Sequence, residues 1–391
     1  MDQRDARRAT YFIMAVFFVQ PMAFGAWLAL IPHVKGELGL TKSELALALL
    51  GLPIALIIAL QFAGRAVGQL GLRRLMQIAF LVQGFAAIPP LYAGSQAWLF
   101  VALLGFGFMV AFLEVGMNVY AGRLEIAADR LVMNRCHGFW ALGLMTGSFL
   151  VVLSADVLSP IGVMAVISFS SALLGAFLSL RLPKIGGTDG EGALPRRRLS
   201  ALPAALPLIG AFMFLNTLTE GAMADWAAVY VSERAPELAA EAGIGVTIFS
   251  GFMAAGRFMG DALKSWFGPV WLARGSATLA LIGIACLVLP LPIGFAYVGF
   301  AFVGVGVAAG YPLGVSAVAS LGETYQAANV AIMSTSALMG FLVGPPLIGF
   351  LADAIGLQSA LAVLAPGLVV CLYLARWLRP KPMQPSTEKL A

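Results

Sequence analysis

Residues 97–122 read AWLFVALLGFGFMVAFLEVGMNVYAG, a run whose polar interruptions are Glu114 and Asn118. A helix of about 20 mostly apolar residues crosses the hydrocarbon of a bilayer, so this run predicts a membrane-spanning helix. Similar runs recur at 10–32, 44–66, 74–94, 136–157, 160–182, 203–231, 244–264, 270–291, 294–320, 329–352 and 358–378, making twelve. They are apolar on every side and too long for the alternating segments of about ten residues that build a membrane β-barrel. The expected fold class is therefore an all-α membrane protein of twelve transmembrane helices. Of the 391 residues, 60% are hydrophobic and 11% charged, which excludes a soluble nucleic-acid-binding domain despite the net charge of +5.

Orientation follows from Lys and Arg, because positively charged loops stay cytoplasmic. With the N-terminus inside, 21 of the 24 basic residues fall in inner segments, among them Arg65, Arg257 and the run Arg196, Arg197 and Arg198. Lys35, Lys42 and Arg234 remain outside. Both termini of this multi-pass protein are thus expected in the cytoplasm. RRATYFIMAVFF at 7–18 continues apolar to Pro32 without a small-residue cleavage site, which predicts a first spanning helix rather than a signal peptide. Cys136, Cys286 and Cys371 lack paired spacing and suggest neither disulfide nor metal site.

The longest polar break, PKIGGTDGEGALPRRRLSAL at 183–202, divides the chain into halves. We expect a six-helix bundle over 1–182, a cytoplasmic linker over 183–202, a second bundle over 203–379 and a tail over 380–391. The halves echo each other. GRAVGQLGLRRL at 64–75 has its counterpart in GRFMGDALKSWFGPVWL at 256–272, and LLGFGFMVAF at 103–112 in FVGVGVAAGY at 302–311. Paired six-helix halves are the parallel repeat of a secondary transporter, with its site between them near the midplane.

These features resemble the major facilitator superfamily, whose loop between helices 2 and 3 is similar to the two GRxxG[QD] segments. FFVQPMAFGAWLALIP at 17–32, FLEVGMNVYAGRLE at 112–125, NRCHGFWALG at 134–143 and EGAMADW at 220–226 resemble its fucose-permease branch. The resemblance implies transport by alternating access. In that branch the Glu of an LExxxN phrase is associated with proton coupling, and Leu113, Glu114 and Asn118 match the phrase. The acid that those sugar symporters carry on helix 1 is absent here, where Leu28 stands at the matching position.

Ionisable groups inside a membrane helix mark candidate function. On a rise of about 1.5 Å per residue, Glu114 falls about 6 Å to the cytoplasmic side of centre and Glu220 about 5 Å to the outer side. Both are expected to couple protons, since loss of solvation favours a carboxyl's neutral form. Asp225 falls about 12 Å outside centre and about 140° around the helix from Glu220, so the two acids form no paired device. With Trp226 it is expected at the outer rim, where amphipathic aromatics anchor a helix. Asn118, Asn216, Trp27, Gln20, His137 and Trp140 are the expected substrate-cavity residues. For His137 the favoured role is to cap a helix end or bond a backbone carbonyl. Arg65, Gly68, Arg257 and Asp261 are expected at the cytoplasmic gate, with Asp261 near Asn134 and Arg135 at the start of helix 5.

The expected cargo is a small polar solute, such as a sugar or sugar-like metabolite. A proton-driven exporter of an amphipathic metabolite or drug is the alternative. GLMTGSF at 143–149 lacks the proline that drug antiporters carry in helix 5, which disfavours it. A transporter-like sensor is the reading from a different class. No nucleophile–base set or metal-ligand cluster stands out, so neither catalytic residues nor a cofactor are expected. The expected partners are the solute, protons and the bilayer, and the expected state is a monomer.

Overall fold

The computed structural model describes residues 2–185, 203–321 and 326–379, with the side chains of 326–328 and 331 set aside. The expected linker, apart from 183–185, and the tail from 380 lie outside the described residues, as do Arg196, Arg197 and Arg198. The described chain is helical, with no strand among the described residues. The spans are α1 Gln3–Leu38, α2 Lys42–Leu70, α3 Leu72–Tyr92, α4 Gln96–Ala128, α5 Met133–Leu153, α6 Pro160–Arg181 and α7 Ala205–Arg234. They continue with α8 and α9 inside Ile244–Val288, then α10 Ile293–Ala319, α11 Gln326–Ile355 and α12 Leu357–Leu378.

Ile244–Val288 is 45 residues long, which as one straight helix would measure about 68 Å, over twice the hydrocarbon thickness. It bends at Gly268, whose φ of 74° and ψ of 163° are open only to glycine, and Pro269 follows. The bend makes two spans, α8 over 244–267 and α9 over 269–288. Gly71, with φ 73° and ψ 152°, reverses the chain between α2 and α3 in the same way. The two sequence echoes thus end on equivalent backbone breaks. Twelve crossings return the chain to the end where it began, called here the terminal end.

Helix α1 is interrupted at its centre, where Pro21 follows Gln20 and removes a helix donor. The Gln20 carbonyl at this break accepts the side-chain amide of Gln83 on α3 at 3.0 Å. Helix α5 begins where Glu125 at the end of α4 accepts the amides of Val132 and Met133, at 2.6 and 2.8 Å.

Helices α5 and α8 join the two halves along their length. Ser148 and Thr247 share a hydrogen bond at 2.9 Å, Gly251 lies against Met145, and Gly138 lies against the ring of Phe258. Phe258 also meets Phe139 edge to face, with centroids 5.3 Å apart. Helices α2 and α11 meet at the end opposite the termini, where Asp353 accepts the Lys42 and Ser43 amides, each at 2.9 Å, and Gly349 sits on Ala46. Lys42 also pairs there with Glu233 of α7 at 3.2 Å.

Candidate functional site at mid-membrane

Gln20, Glu114, Glu220 and Arg257 each lie within two residues of the midpoint of their helix. Helix α7 extends to Arg234, past the expected end at 231, so its centre falls at Glu220 rather than before it. Two polar clusters result, one based in each half. In the first, the Trp140 indole Nε1 of α5 donates to Glu114 Oε1 at 2.8 Å and to Gln20 Oε1 at 3.0 Å. Asn118, one turn along α4, donates to Glu114 Oε2 at 3.1 Å and to its carbonyl at 2.8 Å. Glu114 is held by neutral donors, with no cation within 4.0 Å among the described residues.

In the second cluster, Arg257 Nη2 donates to Glu220 Oε1 at 2.8 Å, in an ion pair whose side chains are 9% and 6% exposed. Arg257 therefore does not belong to an inner loop. The GRFMGD segment that resembles a loop is helical, because α8 continues to 267, and this puts Arg257 about 16 Å from the Gly268 bend. The clusters touch across the halves. The Arg257 guanidinium carbon lies 5.8 Å from the centroid of the Trp140 ring, and Nη1 approaches the His137 carbonyl at 3.3 Å. Trp140 thus bonds one acid and faces the cation that pairs with the other.

Several other side chains sit elsewhere than expected. Trp27 is fully buried in the core. Asn216 is buried against Gly310 and donates to the Val307 carbonyl of α10 at 3.1 Å, tying helices together rather than facing a cavity. His137 does not cap its helix: it is the fifth residue of α5, its imidazole meets Phe17 edge-on, and its main chain contacts Arg257. Trp226 and Tyr230 are core residues, not interfacial anchors, because their polar atoms find carbonyls within the protein, Pro345 at 3.0 Å and Leu287 at 2.6 Å. Asp225 beside them is partly buried and has no hydrogen bond or ion pair among the described residues.

At the terminal end, Asn134 donates to Asp261 across the α5–α8 seam. Arg65 and Gly68 are exposed on α2, and no hydrogen bond joins them to the other half among the described residues. Asp353, with its two amide contacts, went unremarked in sequence. A single acid before a glycine bend carries no local signal of which helix start it meets.

The family model described as Major Facilitator Superfamily matches residues 235–391. An uncharacterized transporter of Sinorhizobium fredii is 30% identical over 376 residues, covering 91% of this chain and 97% of its own. An uncharacterized MFS-type transporter of Yersinia pestis is 29% identical over 369 residues, covering 92% and 93%. Among solved structures, the bacterial homolog of the human lysosomal transporter Spinster, inward-facing and unoccupied, superposes with a TM-score of 0.74 at 14% identity, covering 99% of this chain and 100% of its own. The E. coli fucose:proton symporter superposes at 0.61 with 18% identity, covering 95% and 98%. At these identities the structures speak to fold alone, whereas the near full-length Sinorhizobium match speaks to descent. The chain belongs to the major facilitator superfamily of membrane transporters.

Proposed function

We propose that this transporter moves a small polar solute, such as a sugar or sugar-like metabolite, across a bacterial inner membrane as a monomer with both termini in the cytoplasm. Transport proceeds by alternating access and is coupled to protons through Glu114 and Glu220. The observation carrying this reading is the pair of mid-membrane carboxylates, one per half, bridged by Trp140 and Arg257. Ionisable groups at this depth are costly and mark transport pathways. Glu114 is the better proton carrier of the two, because its partners are neutral donors that tolerate either protonation state, whereas Glu220 is fixed by a cation.

The test is uptake by the purified protein in liposomes under an imposed pH gradient. Glu114→Gln keeps an acceptor for Trp140 and is expected to abolish gradient-driven uptake while leaving counterflow exchange. Unchanged gradient-driven uptake would remove Glu114 from coupling.

One observation favours the exporter reading. A cavity of about 440 Å³ opens between α7 and α11, lined by Gly210, Phe214, Ile332, Thr335, Ser336 and Met339, a mixed surface suited to an amphipathic molecule. Its position outside the acid–arginine network makes it the second choice.

A further inference from the structure

The Arg257 guanidinium carries five N–H donors in a planar fork that can grip both oxygens of a carboxylate. Here its contacts are single: one Glu220 oxygen at 2.8 Å and the distant His137 carbonyl at 3.3 Å. One side of Arg257 faces the Trp140 ring, and another lines a cavity of about 30 Å³ leading to the terminal end. That cavity also presents Asn134, Lys264 and Ser316, with Asp261 as its acid. Lys264 lies two turns beyond Arg257 on the same face of α8, about 10.5 Å along the axis, and donates to Ser316 at 3.1 Å. Its volume holds about one water, so a solute enters only when the halves part. Lys264 and Asp261 lie together towards the terminal end of the passage, so the charge that would hold an anion at its inner end is Arg257.

A desolvated guanidinium at the centre of its helix is costly, and a carboxylate is the ligand that matches its planar fork. A buried cation that loses its partner is strongly unfavourable, whereas exchanging one carboxylate for another keeps it paired throughout. We infer that the transported solute carries a carboxylate, and that this carboxylate takes the place of Glu220 on Arg257. Trp140 provides a stacking surface beside the anchored group. Glu220, once displaced, is a buried acid without its cation and must take a proton, which is the coupling event assigned to it above; the inference rests on that reading. The other charged or titratable groups facing the pair are His137 on α5, Glu114 on α4 through Trp140, and Asp261 and Lys264 on α8 itself.

The experiment is phenylglyoxal labelling of Arg257 in the full-length protein, mapped by peptide mass spectrometry. Acetate, succinate and glucuronate are compared with acetamide, succinamide and glucose, at equal ionic strength set with chloride. At least one carboxylate is expected to slow labelling of Arg257 where its neutral counterpart does not. Glu220→Gln removes the internal competitor and is expected to lower the half-protecting concentration about tenfold, a shift of one decade in apparent affinity. A single cooperative melting transition, at a temperature lowered by the unpaired Arg257, confirms that the variant is folded. Equal protection by the neutral counterparts, or none from any carboxylate, overturns the inference. If protection fails while proton-driven uptake of a neutral solute persists, only the solute class is wrong. If protection holds without proton movement, the coupling reading fails and the carboxylate site stands.

Discussion

The Arg257–Glu220 pair shows at the level of single residues how a charge survives at the centre of a membrane protein. Each ion is expensive to desolvate, and the 2.8 Å contact compensates only while both are present. Arg257→Met should therefore lower stability by about 3–5 kcal/mol, because Glu220 is left buried without a cation. The double variant Arg257→Met with Glu220→Leu should recover most of that loss, since it removes both charges from the interior. Melting curves of the purified variants in detergent measure this, and a double variant no more stable than Arg257→Met would mean that the pair does not act as a unit. Trp140 is the other decisive side chain. Its single N–H serves both Gln20 and Glu114, so its rotamer orients the acid of the N-terminal half.

Backbone approach governs the elements around the site. Helices α1 and α5 cross so closely that a methyl group on Gly143 would overlap the Phe18 carbonyl, and one on Gly147 would overlap the Met22 carbonyl. Small residues one turn apart are the usual way for membrane helices to meet at backbone distance. GLMTGSF is thus explained by packing against α1, and that packing sets Trp140 of α5 beside Gln20 of α1. Gly143→Ala should cost about 1–3 kcal/mol through overpacking. Gly275→Ala in α9, where an added methyl meets nothing within 4 Å, should be neutral or slightly stabilising. Fluorescence-detected melting of the two variants side by side checks the contrast, and equal stability would contradict the close α1–α5 crossing.

Across the whole molecule, two acids latch the halves at opposite ends. Asp261, in the last two turns of α8, meets Asn134 at the start of α5, and Asp353 at the end of α11 meets the first amides of α2. In each case an acid near a helix C-terminus reaches the N-terminus of a helix in the other half, where the helix dipole favours negative charge. The pairs are related by exchanging helices 2 and 5 and helices 8 and 11, as the inverted three-helix repeats within each half of this fold would require. Under the alternating access proposed above, the latches open in turn. Asp353→Asn should increase the reactivity of a cysteine introduced at Asn118 towards reagents supplied from the end opposite the termini. Asp261→Asn should do so from the terminal end, and a variant that leaves accessibility unchanged has no latch at that position.

The sequence by itself determined the membrane class, the helical spans and the place of Glu114 beside Asn118. These follow from hydropathy and helical periodicity, which are properties of neighbours along the chain. It also singled out Glu220 as an acid in need of a partner, without locating one. Only the tertiary structure supplied Arg257, because a segment that resembles a loop is helical and its arginine lies at mid-membrane. The same holds for Trp226, Asn216 and Trp27, which the packing of distant helices turned from rim or cavity residues into core. Local sequence sets how deep a side chain lies and which face of its helix it occupies; which other helix that face meets depends on contacts between residues far apart in the chain, and these exist only once the bundle is assembled.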